Sequence, residues 1–226
     1  MSDNKPEEKI VDVDKVYSQS EDFFEKNKKQ ITLVGGVLVA ILGIFLAYKN
    51  LYQKPRIEEA KELMWKAEYY FEIDSLDKAI QGDGTNFGFE YIASEYSGTP
   101  SGNLAHYYLG ISYLKKSQFE MAIDHLKAAD LDDKIVGAIA KGGIGDAYVE
   151  LGVFDKALDY YSKAISHSDN SFSAPLYLMK KATLLEEMGQ FDKALKAYEQ
   201  IKSKYPESAE AQDIDKYIAR ASSFAG

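Results

Sequence analysis

Between Lys29 and Lys49 the sequence carries no charged side chain. The intervening run, residues 31–48, reads ITLVGGVLVAILGIFLAY and is mostly aliphatic. A bilayer core of about 30 Å needs about 20 apolar residues in helical form, because an unpaired backbone amide in hydrocarbon costs several kcal/mol. The run meets that length only because it is unbroken. A helix packed on a soluble core would keep one polar face, and this one has none. The sequence therefore predicts a membrane-spanning helix, preceded by a short polar tail and followed by a water-soluble domain.

A cleaved secretory signal starts with basic residues and ends at a small-residue site. Here 30 residues precede the run, Glu7, Glu8, Asp12, Asp14, Glu21, Asp22 and Glu25 among them, and Tyr48–Tyr52 offers no such site. An uncleaved anchor is expected. Lysine and arginine within 15 residues of the two ends tie at four each, Lys15, Lys26, Lys28 and Lys29 against Lys49, Lys54, Arg56 and Lys61. The positive-inside rule does not decide by count, and the tightness of the Lys26/Lys28/Lys29 cluster leans toward a cytoplasmic amino terminus. Gly36, Ala40, Gly43 and Ala47 fall on one helical stripe. Small residues let a second transmembrane helix approach closely, and they are also simply common in such helices.

The chain divides into a disordered polar tail (1–19), a membrane-approach segment with the transmembrane helix (20–50), a linker (51–55) and a folded domain (56–226). Ser20 with Glu21 and Asp22 marks the expected helix start, with Phe23, Phe24, Tyr48 and Tyr52 at the interfaces. Of the net charge of −9, residues 57–226 contribute 18 basic and 28 acidic groups. Such a surface repels phosphate backbones and argues against nucleic acid as a partner. The absence of cysteine excludes disulfides, thiolate metal sites and thiol nucleophiles.

The domain repeats. Residues 104–129, 139–164 and 176–201 align without gaps, and their shared Ala122, Ala157 and Ala194 lie 35 and 37 residues apart. Each unit reads as two apolar helices around a turn followed by Phe119, Phe154 or Phe191. With small residues at Gly110, Gly145 and Ala182, and Leu126, Tyr161 or Tyr198 after the alanine, the unit resembles the tetratricopeptide repeat. It lacks the usual tryptophan and has Leu185 where an aromatic is usual. The expected fold is all-α: a single N-terminal transmembrane helix followed by a tetratricopeptide-repeat α-solenoid. Its parts are a degenerate repeat (56–100), repeats at about 103–134, 138–169 and 175–206, and a capping helix (208–222) with Ser208 as N-cap. One unit cannot bury its apolar face alone, so units stack.

No catalytic, cofactor-binding or metal-binding residues emerge. His106, His125 and His167 lie on different helices without an i+4 partner. KGGIGDA sits inside a helical repeat, not after a strand, and the S-x-x-K of Ser112 and Lys115 lacks its companions. The glycine-rich QGDGTNFG loop has too few oxygen ligands for calcium. Acid pairs such as Asp132/Asp133 and Glu186/Glu187 read as solvated faces.

Repeat register places Leu104, Tyr107, Ile111 and Leu114, then Ile139, Gly142, Asp146 and Val149, then Leu176, Met179 and Thr183 on the concave side. Tyr107 and Ile111, then Gly142 and Asp146, stand where a carboxylate clamp needs lysine and asparagine. A groove of Tyr, Leu and Met suits an apolar or unfolded segment, although several of these positions also read as core.

The layout as a whole, with AEYYFEIDSLDKAIQGDG and then EYSGTPSGNLAHYYLGISY, resembles the YfgM-type ancillary subunits of the Sec translocon in their Bacteroidetes form. The loop 75–84 and the junction 97–108 carry this resemblance, which extends over about residues 15–222. It implies a single-pass bacterial inner-membrane protein with periplasmic repeats. The implied partners are a SecY-type channel, a membrane-anchored periplasmic prolyl-isomerase-like chaperone and unfolded secretory clients. The expected function is a non-enzymatic, chaperone-like adaptor without cofactors. The alternatives are a scaffold of another cell-envelope assembly machine and an enzyme with an unrecognised site.

Overall fold

The computed structural model describes residues 13–225, with side chains from Glu25 onward. It contains helices and, among the described residues, a single isolated β-bridge between Gly82 and Phe87. The chain separates into two compact units, 1–55 and 56–226.

In the first unit, α1 runs Val13–Ala47. It is already helical seven residues before Ser20, because no proline or glycine between Val13 and Gly35 interrupts it. Residues 1–12 of the predicted tail and the side chains of Phe23 and Phe24 lie outside the described residues. The apolar run is bare on every side: Leu33, Val39 and Ile44 are 69, 70 and 71% exposed. This helix is long and apolar enough to cross a membrane. Where a linker is expected, the backbone makes a π-helical turn, Tyr48–Gln53, and the Lys54 N–H donates to the Lys49 carbonyl. Pro55 has no N–H for the Leu51 carbonyl and its ring would crowd that oxygen. The wider turn accommodates both deficits.

The second unit stacks helical pairs. Helix α2 (Lys54–Glu72) enters it and contributes buried Ala60, Met64 and Ala67. Its partner is broken into α3 (Leu76–Gln81) and α4 (Phe89–Glu95) by the glycine-rich loop. Asp83 organises that loop, accepting from the Thr85 and Asn86 backbone N–H groups at 2.9 and 2.6 Å and from Tyr70 Oη at 2.7 Å. These donors, the Asn86 N–H first, hold the Asp83 carboxyl well below the usual carboxylate range. A Cβ on Gly88 would lie 2.3 Å from the Ile80 carbonyl, so glycine is required for the chain to fold back there.

Three complete pairs follow: α5 (Pro100–Lys115) with α6 (Phe119–Ala128), α7 (Val136–Glu150) with α8 (Phe154–His167), and α9 (Ser173–Glu187) with α10 (Phe191–Lys204). Thr99 caps α5, its hydroxyl accepting from Gly102 N at 3.0 Å, and Pro100 occupies the first turn, where an N–H is dispensable. Ala122, Ala157 and Ala194 have no exposed surface, so the helices of each pair meet at a methyl group. Asp213 precedes α11 (Ile214–Phe224), which follows a 3-10 turn at Ala209–Ala211. The final helix thus starts six residues after Ser208, whose side chain makes no cap bond because the backbone tightens into the 3-10 turn instead. Helix α11 covers the last pair with buried Ile214 and Ala221, and Arg220 grips Glu186.

One turn recurs four times. Asp74, Ser117, Gly152 and Gly189 adopt left-handed φ values of 58, 56, 70 and 71°. The next residue in each case donates its N–H to the carbonyl five residues back: Ser75 to Tyr70, Gln118 to Tyr113, Val153 to Tyr148 and Gln190 to Leu185, at 2.8–2.9 Å. This is the Schellman closure, and its presence after α2 ties the irregular first pair to the other three. An L side chain at such a φ costs about 1–2 kcal/mol. Gly152→Ala, whose Cβ meets nothing within 4 Å, is therefore expected to destabilise the soluble unit by about 1 kcal/mol and Ser117→Gly to stabilise it by a similar amount. Chemical denaturation of the two variants against wild type measures both signs.

Candidate functional site: the inner helix face

The first helices of the three pairs, α5, α7 and α9, line one face of the stack, and α7 touches both neighbours. In repeat solenoids this face is the extended binding surface. Glycine determines how close the helices come. A Cβ on Gly142 would sit 1.9 Å from the Tyr177 ring, and one on Gly145 would sit 2.6 Å from Tyr161. The glycines of KGGIGDA thus seat tyrosines of the next helices against the α7 backbone.

Leu104, Tyr107, Ile111, Leu114, Ile139, Leu176 and Met179 are all half-buried, and Gly142 is buried. Leu104 packs on the core of the first two pairs, and Leu114 bridges that core and the next. Ile111 and Leu114 point their Cδ1 atoms at Gly143 across the α5–α7 seam. Tyr107 packs there too, and its burial pushes the phenol pKa up. The open part of the face lies further along, between α7 and α9. There Asp146, Val149, Met179, Lys180, Thr183 and Glu187 surround a groove of about 270 Å³. The structure therefore brings Asp146 and Met179 together in one groove and places Tyr107, Ile111 and Leu114 in the neighbouring seam. In the other unit, Gly36, Ala40, Gly43 and Ala47 lie uncovered on α1.

At the groove floor Asp146 is held from two sides. Lys180 Nζ lies 2.8 and 2.7 Å from its two carboxylate oxygens, and Tyr161 Oη donates to Oδ1 at 2.8 Å. Burial first, and the Asp146 charge second, push the Tyr161 phenol well above its ordinary pKa, so it remains a donor. Sequence reasoning singled out Asp146 but missed Lys180 and Tyr161. The available signal was the opposite charge 34 residues on, in the next first helix.

A second cluster was also missed. His106 on α5 and His125 on α6, on different helices as expected, meet with Nδ1···Nδ1 at 3.0 Å. Their ring centroids are 5.3 Å apart, the spacing left when two imidazoles point at one another end to end. Both lone pairs cannot then converge on one metal ion, and one N–H donates to the other nitrogen. Among the described residues no group of three His, Cys, Asp or Glu is placed to hold a metal. The Tyr113 ring stacks on His125, and Tyr113 Oη donates to Glu90 at 2.7 Å. Burial, followed by the neighbouring His125, lowers the His106 pKa; burial also lowers that of His125, against the opposing fields of Glu90 and Asp124.

Residues 177–208 match the tetratricopeptide repeat family. Over 68 residues the chain is 37% identical to the uncharacterized protein ycf37 of Guillardia theta, an alignment covering 28% of this chain and 38% of that protein. The chain thus spans well under half the length of this curated relative. Two crystal structures of nearly identical TPR-like repeats from a Podosopora anserina protein described as a kinesin light chain, one a single-residue variant, superpose with a TM-score of 0.56. They share 15% identity over 74% of this chain and 87% of theirs, which establishes the fold. Among the described residues the chain is an all-helical, TPR-like solenoid.

Two outcomes are expected. In a double-mutant cycle of Asp146→Asn and Lys180→Met, the pair, each partner about a third exposed, is expected to show a coupling of about 1 kcal/mol in chemical denaturation; a coupling near zero would mean the bridge adds nothing to stability. The unfolded histidines take up protons near pH 6.5, before the folded pair does. Stability is therefore full above that pH and falls as the pH drops through it. His106→Asn with His125→Asn is expected to flatten this part of the stability–pH curve.

Proposed function

We propose that this chain is a membrane-anchored, non-enzymatic adaptor of protein export. In this reading α1 crosses the bacterial inner membrane once, with a cytoplasmic amino terminus and periplasmic repeats. The repeats hold a membrane-anchored prolyl-isomerase-like chaperone, or emerging secretory chains, beside a SecY-type channel. One observation carries the proposal: a helix long and apolar enough to span a membrane shares the chain with a repeat stack whose first pair contains the loop 75–84 and leads into the next pair through the junction 97–108. These are the segments that resemble the Sec-associated family.

The physical features agree in kind. The uncovered Gly36, Ala40, Gly43 and Ala47 would let a partner helix approach closely in the bilayer. The groove at Asp146 and Met179 mixes an anchored charge with an adaptable apolar wall, which suits a peptide segment better than a small metabolite. The soluble unit's excess of acidic groups disfavours nucleic acid and anionic lipid.

Affinity purification from native membranes in mild detergent, with mass spectrometry of the retained proteins, tests this directly. The SecY-type channel is expected to accompany the wild-type chain and to be depleted at least tenfold from the Gly36→Leu/Gly43→Leu variant. Recovery of other envelope proteins without the channel would replace export by a different assembly machine.

A further inference from the structure

Consecutive lysines on α9 serve two different grooves. Lys180 turns to Asp146 on the inner face. Lys181, about 100° further round the helix, enters a groove of about 490 Å³ formed by α8, α9 and α10. Its floor is apolar, with Leu158, Leu178 and Leu185, and its rim carries Lys193 and Lys196. Lys181 Nζ donates to the Ser162 hydroxyl at 2.9 Å, and among the described residues no carboxylate is paired with it. Of the two rim carboxylates, Asp159 is already engaged by Lys163 at 2.7 Å, which leaves Asp155.

A half-buried ammonium with one hydroxyl partner has lost water without gaining a counter-charge. Its lowered pKa, caused by burial alone, reflects the same deficit. The deficit stands out over residues 57–226, where acidic groups outnumber basic ones by ten. We infer that this groove docks an acidic segment of a partner protein, its carboxylate on Lys181 and its flanking apolar side chains on Leu158, Leu178 and Leu185. The site is separate from the Asp146 groove and does not depend on the export reading. It gives the solenoid a second, electrostatically distinct place to hold a partner.

The test uses the full chain in zwitterionic-lipid nanodiscs, with empty nanodiscs as blank. The probes are a fluorescein-labelled Leu-Glu-Glu-Leu-Leu-Glu-Glu-Leu peptide, blocked at both ends, and its Gln-for-Glu counterpart. Fluorescence anisotropy at low salt is expected to show the Glu peptide binding at least tenfold tighter, with the preference shrinking as salt rises. Lys181→Met, which keeps the stem and removes the charge, should abolish the preference, and Lys61→Met on α2 should not. On the unmodified protein, the Glu peptide should slow acylation of Lys181 by an amine-reactive ester while leaving Lys61 unchanged. No binding, equal binding of the two peptides, a preference that survives Lys181→Met, or Lys181 left unprotected would each overturn the inference.

Discussion

Ala122, Ala157 and Ala194 are wholly buried, each at the point where the second helix of a pair touches the first. The stack depends on this contact. A side chain any larger would push the helices apart and open a void along the whole interface, at a cost that grows with the volume left empty. With the methyl in place, Leu126, Tyr161 and Tyr198 reach down beside it to fill the groove toward the next unit, at 2, 3 and 0% exposure. The tyrosines bring a hydroxyl with them, and it must find a partner. Tyr161 finds Asp146 and Tyr198 finds Glu186 at 3.1 Å. A packing requirement in the core thereby fixes acidic groups on first helices, Asp146 beside the α7–α9 groove and Glu186 beneath Arg220 of α11.

Much of this was legible in the chain. The apolar run has no polar face, so length alone argued for a span. The alanines recur at near-constant spacing because each repeat solves the same packing problem, and that periodicity carried the solenoid. What escaped notice depends on contacts between distant residues. The Asp83 loop is organised by Tyr70, which lies one helix earlier. His106 and His125 meet only because α5 and α6 pack at one particular depth. Register says which face Tyr107, Ile111 and Leu114 occupy, but whether a neighbour covers that face is decided by Gly143 on another helix. Helix ends were misplaced for a related reason. Ser208 has the right chemistry for a cap, yet a 3-10 turn intervenes before α11.

The two grooves divide the labour of one helix. On α9 a neutralised lysine and an unneutralised one stand side by side in sequence and face different surroundings. Desolvation without compensation is costly in a fold whose net stability is small. In the docking inferred for this groove, a carboxylate from outside the chain completes the charge balance. An adaptor benefits from that arrangement, because the missing counter-charge discriminates among partners more sharply than apolar area does.

The left-handed turns differ along the chain in one respect: the last two are glycine, and the first two are Asp74 and Ser117. In a quasi-one-dimensional stack the stability of the whole is a sum of what each pair contributes and what each interface with a neighbour contributes. The pairs around Gly152 and Gly189 close without backbone strain, whereas those nearer the apolar helix must overcome it. The strain is thus graded along the stack: the two turns nearer the amino terminus each give up about 1 kcal/mol of local closure that the two glycine turns keep.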